Sequence, residues 1–429
     1  MIIGEFTDVF PPELDGVGAV VSAYCRTFRK NPEDTCYYIA PEYPGREEQE
    51  DYPVLNYVGL PIPGETYRFG TPDVDLMFQK QLRGIELDIV HAHSPFTAGM
   101  LAAAVARRRN IPLVATFHSK YYDDFLKRTK SESLSKLAVQ AIVEFYERCD
   151  EVWAVNHATG EVLSSYGYKG EIQIMPNGTN LWYPTDDDRR GAEERFGLKE
   201  KTVFLFVGQQ NFKKNTRHIL EAVKLYSESH SDFRMVFAGQ GPDEQAMKDL
   251  AQELGIADRT SFVGHIMDRQ ILLGLYARAD LLVFPSIYDN APMVVREAAA
   301  AGTPALLVRG SCAAEGVTDG ENGFLCDDSP ESIAACMARA LETADAVGAK
   351  ARQTIPLAWD VVVAQARKRY ADLIEQYRSG EKKRPMLWPI VSRDPELHWP
   401  QLPKELEEHW KQWSSRDWSL RDWLDSIYQ

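Results

Sequence analysis

Two carboxylates eight residues apart, Asp289 and Glu297, are the acids of this chain best placed to do chemistry. Asp289 follows the apolar run Leu281-Leu282-Val283-Phe284, and Glu297 lies early in an Ala-rich stretch that ends at Gly302. An apolar run, a short loop and an Ala-rich stretch read as strand, turn and helix. In an open α/β sheet, ligands bind in the crevice beyond the carboxyl ends of the strands. A helix that starts there aims free N–H groups and its positive dipole end at the ligand. Carboxylates on the same rim can accept hydrogen bonds from several sugar hydroxyls. The combination points to a site for a nucleotide-activated sugar.

Other residues fall at similar strand ends. Gly16 and Gly18 join the first strand to the first helix, where glycine permits close backbone approach and the helix start favours phosphate. His118 ends the strand run 112–118. In the second half, Gly208-Gln209 leads to Lys213-Lys214, Gly239-Gln240-Gly241 joins another strand to a helix, and Gly264-His265-Ile266 follows a third. An ammonium at Lys214 could neutralise a departing diphosphate. His91 and His93 are expected to face opposite sides of their strand, which would rule out a shared metal.

These residues need a scaffold, and the chain describes one. Runs at 1–6, 36–41, 87–93, 112–118 and 151–156 read as strands, with helices over 97–109 and 133–148 among the intervening segments. A linker rich in turn residues follows, and Asp186-Asp187-Asp188 is expected there as exposed chain. Strand runs then resume at 202–208, 233–239, 260–264, 281–284 and 305–308. Alternating strands and helices predict α/β architecture with parallel sheets. The expected divisions are 1–172, 173–358, a helix over 359–378, and a tail over 379–429 that holds six of the nine tryptophans.

At 429 residues the chain exceeds one ordinary core, and 44% hydrophobic content marks it as globular. A formal charge of −15 argues against nucleic-acid binding. Six cysteines without a C-x-x-C pair read as buried thiols in a reducing compartment. With no apolar run of membrane-spanning length, the expectation is a cytoplasmic protein, at most peripheral on the inner face of a membrane.

The segment from Phe284 to Pro304 resembles the E-x7-E signature of retaining glycosyltransferases of family four, a group with the GT-B fold that builds glycolipids and polysaccharides. The resemblance covers about the first 378 residues and extends to diacylglycerol and phosphatidylinositol glycosyltransferases. It implies two Rossmann-like domains facing across a cleft, with the last helix crossing back to the N-terminal one. It also implies that Asp289 and His118 hold the hexose, Glu297 the ribose and Lys214 the diphosphate. Donor contacts would come from Gly16, Gly18, Gly208, Gln209, Lys213, Gly241, His265, Ile266, Asn290, Ala291, Met293 and Val294. No metal and no cofactor beyond the donor, expected to be UDP-glucose, is implied.

The chain departs from the pattern in three places: Asp289 replaces the usual first Glu, Gln209 replaces an Arg, and Pro292 lacks a backbone donor. Aromatic and basic residues over 121–128 and Arg107 to Arg109 could meet a lipid acceptor. The apolar stripe of Trp410, Trp413, Leu420, Trp423, Leu424 and Ile427 calls for a covering surface: the enzyme itself, a second subunit in a homodimer, or a membrane. A nucleotide-sugar epimerase, a phosphorylase and a non-catalytic binding protein remain open readings of the same residues.

Overall fold

A computed structural model of the chain describes residues 1–10, 16–43, 50–62 and 67–384. The N-terminal half contributes strands β1 (Ile2–Phe6), β2 (Thr35–Pro41), β3 (Val54–Tyr57), β4 (Gly59–Pro61), β5 (Arg68–Gly70), β6 (Ile89–Ala92), β7 (Leu113–Phe117), β8 (Glu151–Ala154) and β9 (Ile172–Ile174). Seven of them form a parallel sheet in the order β3-β2-β1-β6-β7-β8-β9, and β4 and β5 pair as a small antiparallel hairpin. The second half supplies β10 (Thr202–Val207), β11 (Phe233–Ala238), β12 (Thr260–Gly264), β13 (Leu281–Val283), β14 (Ala305–Val308) and β15 (Phe324–Cys326), ordered β12-β11-β10-β13-β14-β15.

Both large sheets are covered by helices, so their central strands are buried along their length and mostly apolar rather than alternating, with Glu5, His91 and Thr116 as buried polar exceptions in the first sheet. β10 shows this: Val203, Phe204, Leu205 and Phe206 are all fully buried. In each sheet the strand order reverses beside the first strand of its half, β1 or β10, leaving a crevice at the carboxyl ends. The candidate residues cluster along these two crevices.

The last described helix, Trp359–Arg378, crosses from the second half to the first. Its apolar face of Trp359, Val362, Val363, Ala366, Tyr370 and Leu373 joins the N-terminal core. Tyr370 stacks on Trp153 at 5.5 Å, and Arg367 and Arg369 pair with Asp34 and Glu151.

Three readings change. Asp186 to Asp188 form the first turn of helix Asp186–Phe196, closed by a capping box between Thr185 and Asp188. Acids at a helix start are stabilised by its unpaired N–H groups, which is why an acidic run here is not open chain. β9 carries the first sheet to Ile174, past the expected division at 172. The short strands β3, β4, β5 and β15 were not anticipated. Five cysteines are buried and Cys149 partly so, all of them free thiols. Among the described residues no helix is long and apolar enough to cross a membrane. The tryptophan stripe of the tail lies outside the described residues.

Candidate active site

Lys214 and Asp289 meet at the mouth of the second sheet. The Lys214 ammonium lies 2.5 Å from Asp289 Oδ1, and both side chains are largely buried. Each is placed by its own loop. Asp289 Oδ2 accepts the Ser286 hydroxyl at 2.6 Å while Ser286 Oγ accepts the Asp289 N–H, a reciprocal turn just beyond β13. Lys214 is held from three sides. Asn211 Oδ1 accepts the Lys213 N–H, Asp243 Oδ2 accepts the Phe212 N–H, and Asn215 donates to the Pro285 carbonyl and to Asp328. Asn215 sits at φ 57°, a left-handed conformation that Asn tolerates better than most residues. Sequence reading missed this residue; its polar side chain next to a lysine gives little signal by itself.

Helix Met293–Ala301 starts beside this pair with Pro292 as its N-cap and no side-chain cap. The N–H groups of Met293 and Val294 have no acceptor among the described residues. They leave a positive helix end facing the crevice. Glu297 is one turn along, its two oxygens accepting from Tyr276 at 2.9 Å and Arg269 at 2.8 Å. Its side chain retains some exposure, so lone pairs are still available to a ligand.

Not every expected donor contact has a free hand. Asn290 donates to the His118 carbonyl at 2.6 Å and its backbone carbonyl accepts from Asn156, so it bridges the two halves and keeps its side-chain Oδ1 unpartnered among the described residues. The Ala291 carbonyl accepts from Asn177 in the same seam. Lys213 reaches across to Asp124 at 2.9 Å, where Tyr288 also donates, and so latches the halves. Gln209 is exposed beside Gly208, and His265 and Ile266 are half-buried beyond β12. Gly241 has a packing reason: a Cβ there would meet the Gln210 carbonyl at 2.3 Å. Gly239 is likewise pressed against the Gly208 backbone. Gly18 packs against Val9 and Tyr38, whereas a Cβ on Gly16 would meet nothing. The loop before them, 11–15, lies outside the described residues.

His118 is buried at the end of β7, in line with other histidines. His93 Nδ1 is 3.0 Å from His118 Nε2, and His93 Nε2 is 2.7 Å from Glu5 Oε2. His91 joins the same group: its ring centroid is 4.0 Å from that of His93, and its nitrogens bond Tyr370 and Thr116. The expectation that His91 and His93 face opposite ways was an error of period, since residues two apart in a strand share a face. Ligand atoms of Glu5, His91 and His93 lie within 4.8 Å of one another, near enough for a metal ion. Every ring nitrogen of the two histidines already has a protein partner, however. Burial would raise the Glu5 carboxyl, but the charge of His91 and the hydrogen bonds from both histidines outweigh it and bring it to about 2. Burial, with His91 adding to it, lowers His93 to about 4; burial and both neighbours push His118 well below the usual range.

Two facing parallel sheets, a crevice between them and a lysine–carboxylate pair at a bare helix start define a nucleotide-sugar transferase scaffold. Sequence profiles agree. Glycosyltransferase Family 4 matches residues 14–183 and Glycosyl transferases group 1 matches residues 188–354. The chain belongs to the family four glycosyltransferases and has their GT-B fold. It is 23% identical to an alpha-monoglucosyldiacylglycerol synthase of Acholeplasma laidlawii, over 88% of this chain and 98% of that protein. The Streptococcus pneumoniae protein of the same description is 24% identical, over 71% and 70%. The fold is shared with Anabaena HepE, solved in complex with UDP and glucose, at a TM-score of 0.71 and 17% identity, covering 87% of this chain and 99% of that one.

Proposed function

We propose that this glycosyltransferase moves a hexose, with glucose the favoured sugar, from a nucleoside diphosphate to a hydroxyl of a membrane lipid such as diacylglycerol, with retention of configuration. The observation that carries the donor site is the Lys214–Asp289 pair at the bare start of helix Met293–Ala301. In this reading Lys214 turns from Asp289 toward the diphosphate, and the N–H groups of Met293 and Val294 share its charge. Asp289 is then freed to hold the hexose opposite His118, while Glu297 holds the ribose. The acceptor oxygen attacks C1 on the face the diphosphate leaves. A glycosidic bond forms as the C1–phosphate bond breaks, and the departing diphosphate oxygen takes the acceptor's proton.

The relatives' description favours a lipid acceptor, and so does the surface of the N-terminal half. Leu60 and Phe69 lie opposite each other on the β4–β5 hairpin, both at least half exposed, and Leu76, Met77 and Met100 add further exposed apolar area. Patches of this kind mark interaction surfaces. A peripheral contact with membrane is proposed there. Incubation with a panel of nucleoside diphosphate hexoses and with diacylglycerol in mixed micelles, read by mass spectrometry, tests the reading. A hexosyl lipid is expected. Release of free nucleotide without a glycosylated product would instead favour the epimerase reading.

Lysine and helix N–H groups together would carry the charge that a divalent ion carries in other transferases, so turnover is expected to persist in excess chelator. Loss with EDTA and recovery with Mn²⁺ or Mg²⁺ would refute this part of the reading.

A further inference from the structure

Glu5, His93 and His118 form a line of hydrogen bonds that runs from the centre of the first sheet to the crevice. The Glu5 side chain is fully buried, His93 is 1% exposed and His118 9%. The His93 and His118 rings stack at 5.3 Å, and Tyr24 packs edge-on against His93. Tyr370, from the helix that braces the two halves, donates to the other Glu5 oxygen at 3.2 Å.

We propose that Glu5 and His93 are positioning residues that fix His118 as the Nε2–H tautomer, so that its Nδ1 meets the hexose as a hydrogen-bond acceptor. This rests on the reading that His118 contacts the hexose. The proton order follows from the chain's closed end. An ionised Glu5 can only accept, so His93 Nε2 must carry a hydrogen. A neutral His93 then offers a bare Nδ1, and the 3.0 Å contact requires His118 to donate from Nε2. That leaves His118 Nδ1 without a proton, and it has no hydrogen-bond partner among the described residues. The low ranges of Glu5, His93 and His118 agree with one anion and two neutral rings at neutral pH. A hydroxyl can donate to such a nitrogen; a ring of the other tautomer would instead demand an acceptor. The outer partner of a working histidine commonly sets its tautomer in this way.

Two-bond proton–nitrogen correlation spectra of protein labelled with ¹⁵N-histidine read the tautomer directly. In the wild type, His118 should show a protonated Nε2 and a bare Nδ1. A proton on Nδ1, or a charged ring at neutral pH, overturns the proposal, and this spectrum needs no variant to fold. In Glu5→Gln the amide can accept or donate, so the tautomer should become mixed. Turnover should then fall on the order of tenfold or more, with the affinity for bare UDP unchanged. In a His118→Ala background Glu5→Gln should cost nothing further; an equal loss there shows that Glu5 acts through general structure, which also overturns the proposal. If His118→Ala alone leaves turnover unchanged while the wild-type tautomer is as stated, the hexose contact fails and the hydrogen-bond line survives without a positioning role.

Discussion

Single side chains carry two consequences. Lys214→Ala should reduce turnover on the order of 10²-fold or more, as removal of one preorganised charge from a developing anion does elsewhere. It also leaves Asp289 without its 2.5 Å partner. Steady-state rates beside calorimetry with bare UDP separate the two effects; turnover within a few-fold of wild type would contradict the assignment. The buried histidines set an acid limit. His93 has its folded range lowered to about 4 from an ordinary 6.5, so the unfolded chain binds the proton more readily between those values. Stability from the neutral ring is therefore complete above pH 6.5 and is lost as pH falls toward 4, about 3 kcal/mol in all. Glu5, lowered to about 2, keeps its contribution down to about pH 4.5 and loses it only below. Melting temperature should thus begin to drop below pH 6.5, and His93→Asn should flatten the curve between pH 6.5 and about 4.

At the scale of elements, the site is a matter of two loops and one helix start. Asn215 ties the lysine loop to the end of β13 while holding a left-handed backbone. Asn215→Ala loses both hydrogen bonds and strains the turn, so it should destabilise the fold by about 1–3 kcal/mol. Turnover should fall with it, because Lys214 loses its support; denaturant melts beside initial rates measure both. Much of this level was legible in the chain. Helix Thr97–Arg109 and the central strands could be read directly because buried parallel strands are continuous apolar runs. The strand–loop–helix frame of Asp289 and Glu297 followed from the same grammar. What escaped had a common cause. The short strands β3, β9 and β15 lie at sheet edges and β4 and β5 in the small hairpin, where they lack the continuous apolar run that marks equally short central strands. The bridging role of Asn290, the latch of Lys213 on Asp124 and the glycine packing at Gly241 depend on partners 31 or more residues away, which no local spacing reveals. Glu5 was invisible for the same reason: a lone acid in an apolar strand acquires meaning only when His93 is beside it.

Across the whole molecule, several contacts among the described residues join the two halves, including the Glu315 carboxylate, which accepts the His157 and Ala158 N–H groups. Asn290 and Asn156 bridge the seam, Asp124 gathers Lys213 and Tyr288, and helix Trp359–Arg378 sinks Tyr370 into the N-terminal core. The result brings His118 of one half close to the Asp289–Asn290 segment of the other, as the proposed sugar site needs. Retention is the claim that gathers these parts, since it follows only if the acceptor enters on the side from which Lys214 and the helix start draw the diphosphate away. The anomeric configuration of the product tests it most directly. Transfer from UDP-glucose, whose sugar is α-linked, to diacylglycerol should give an α-glucoside by the proton coupling at C1. A β-glucoside would contradict the account.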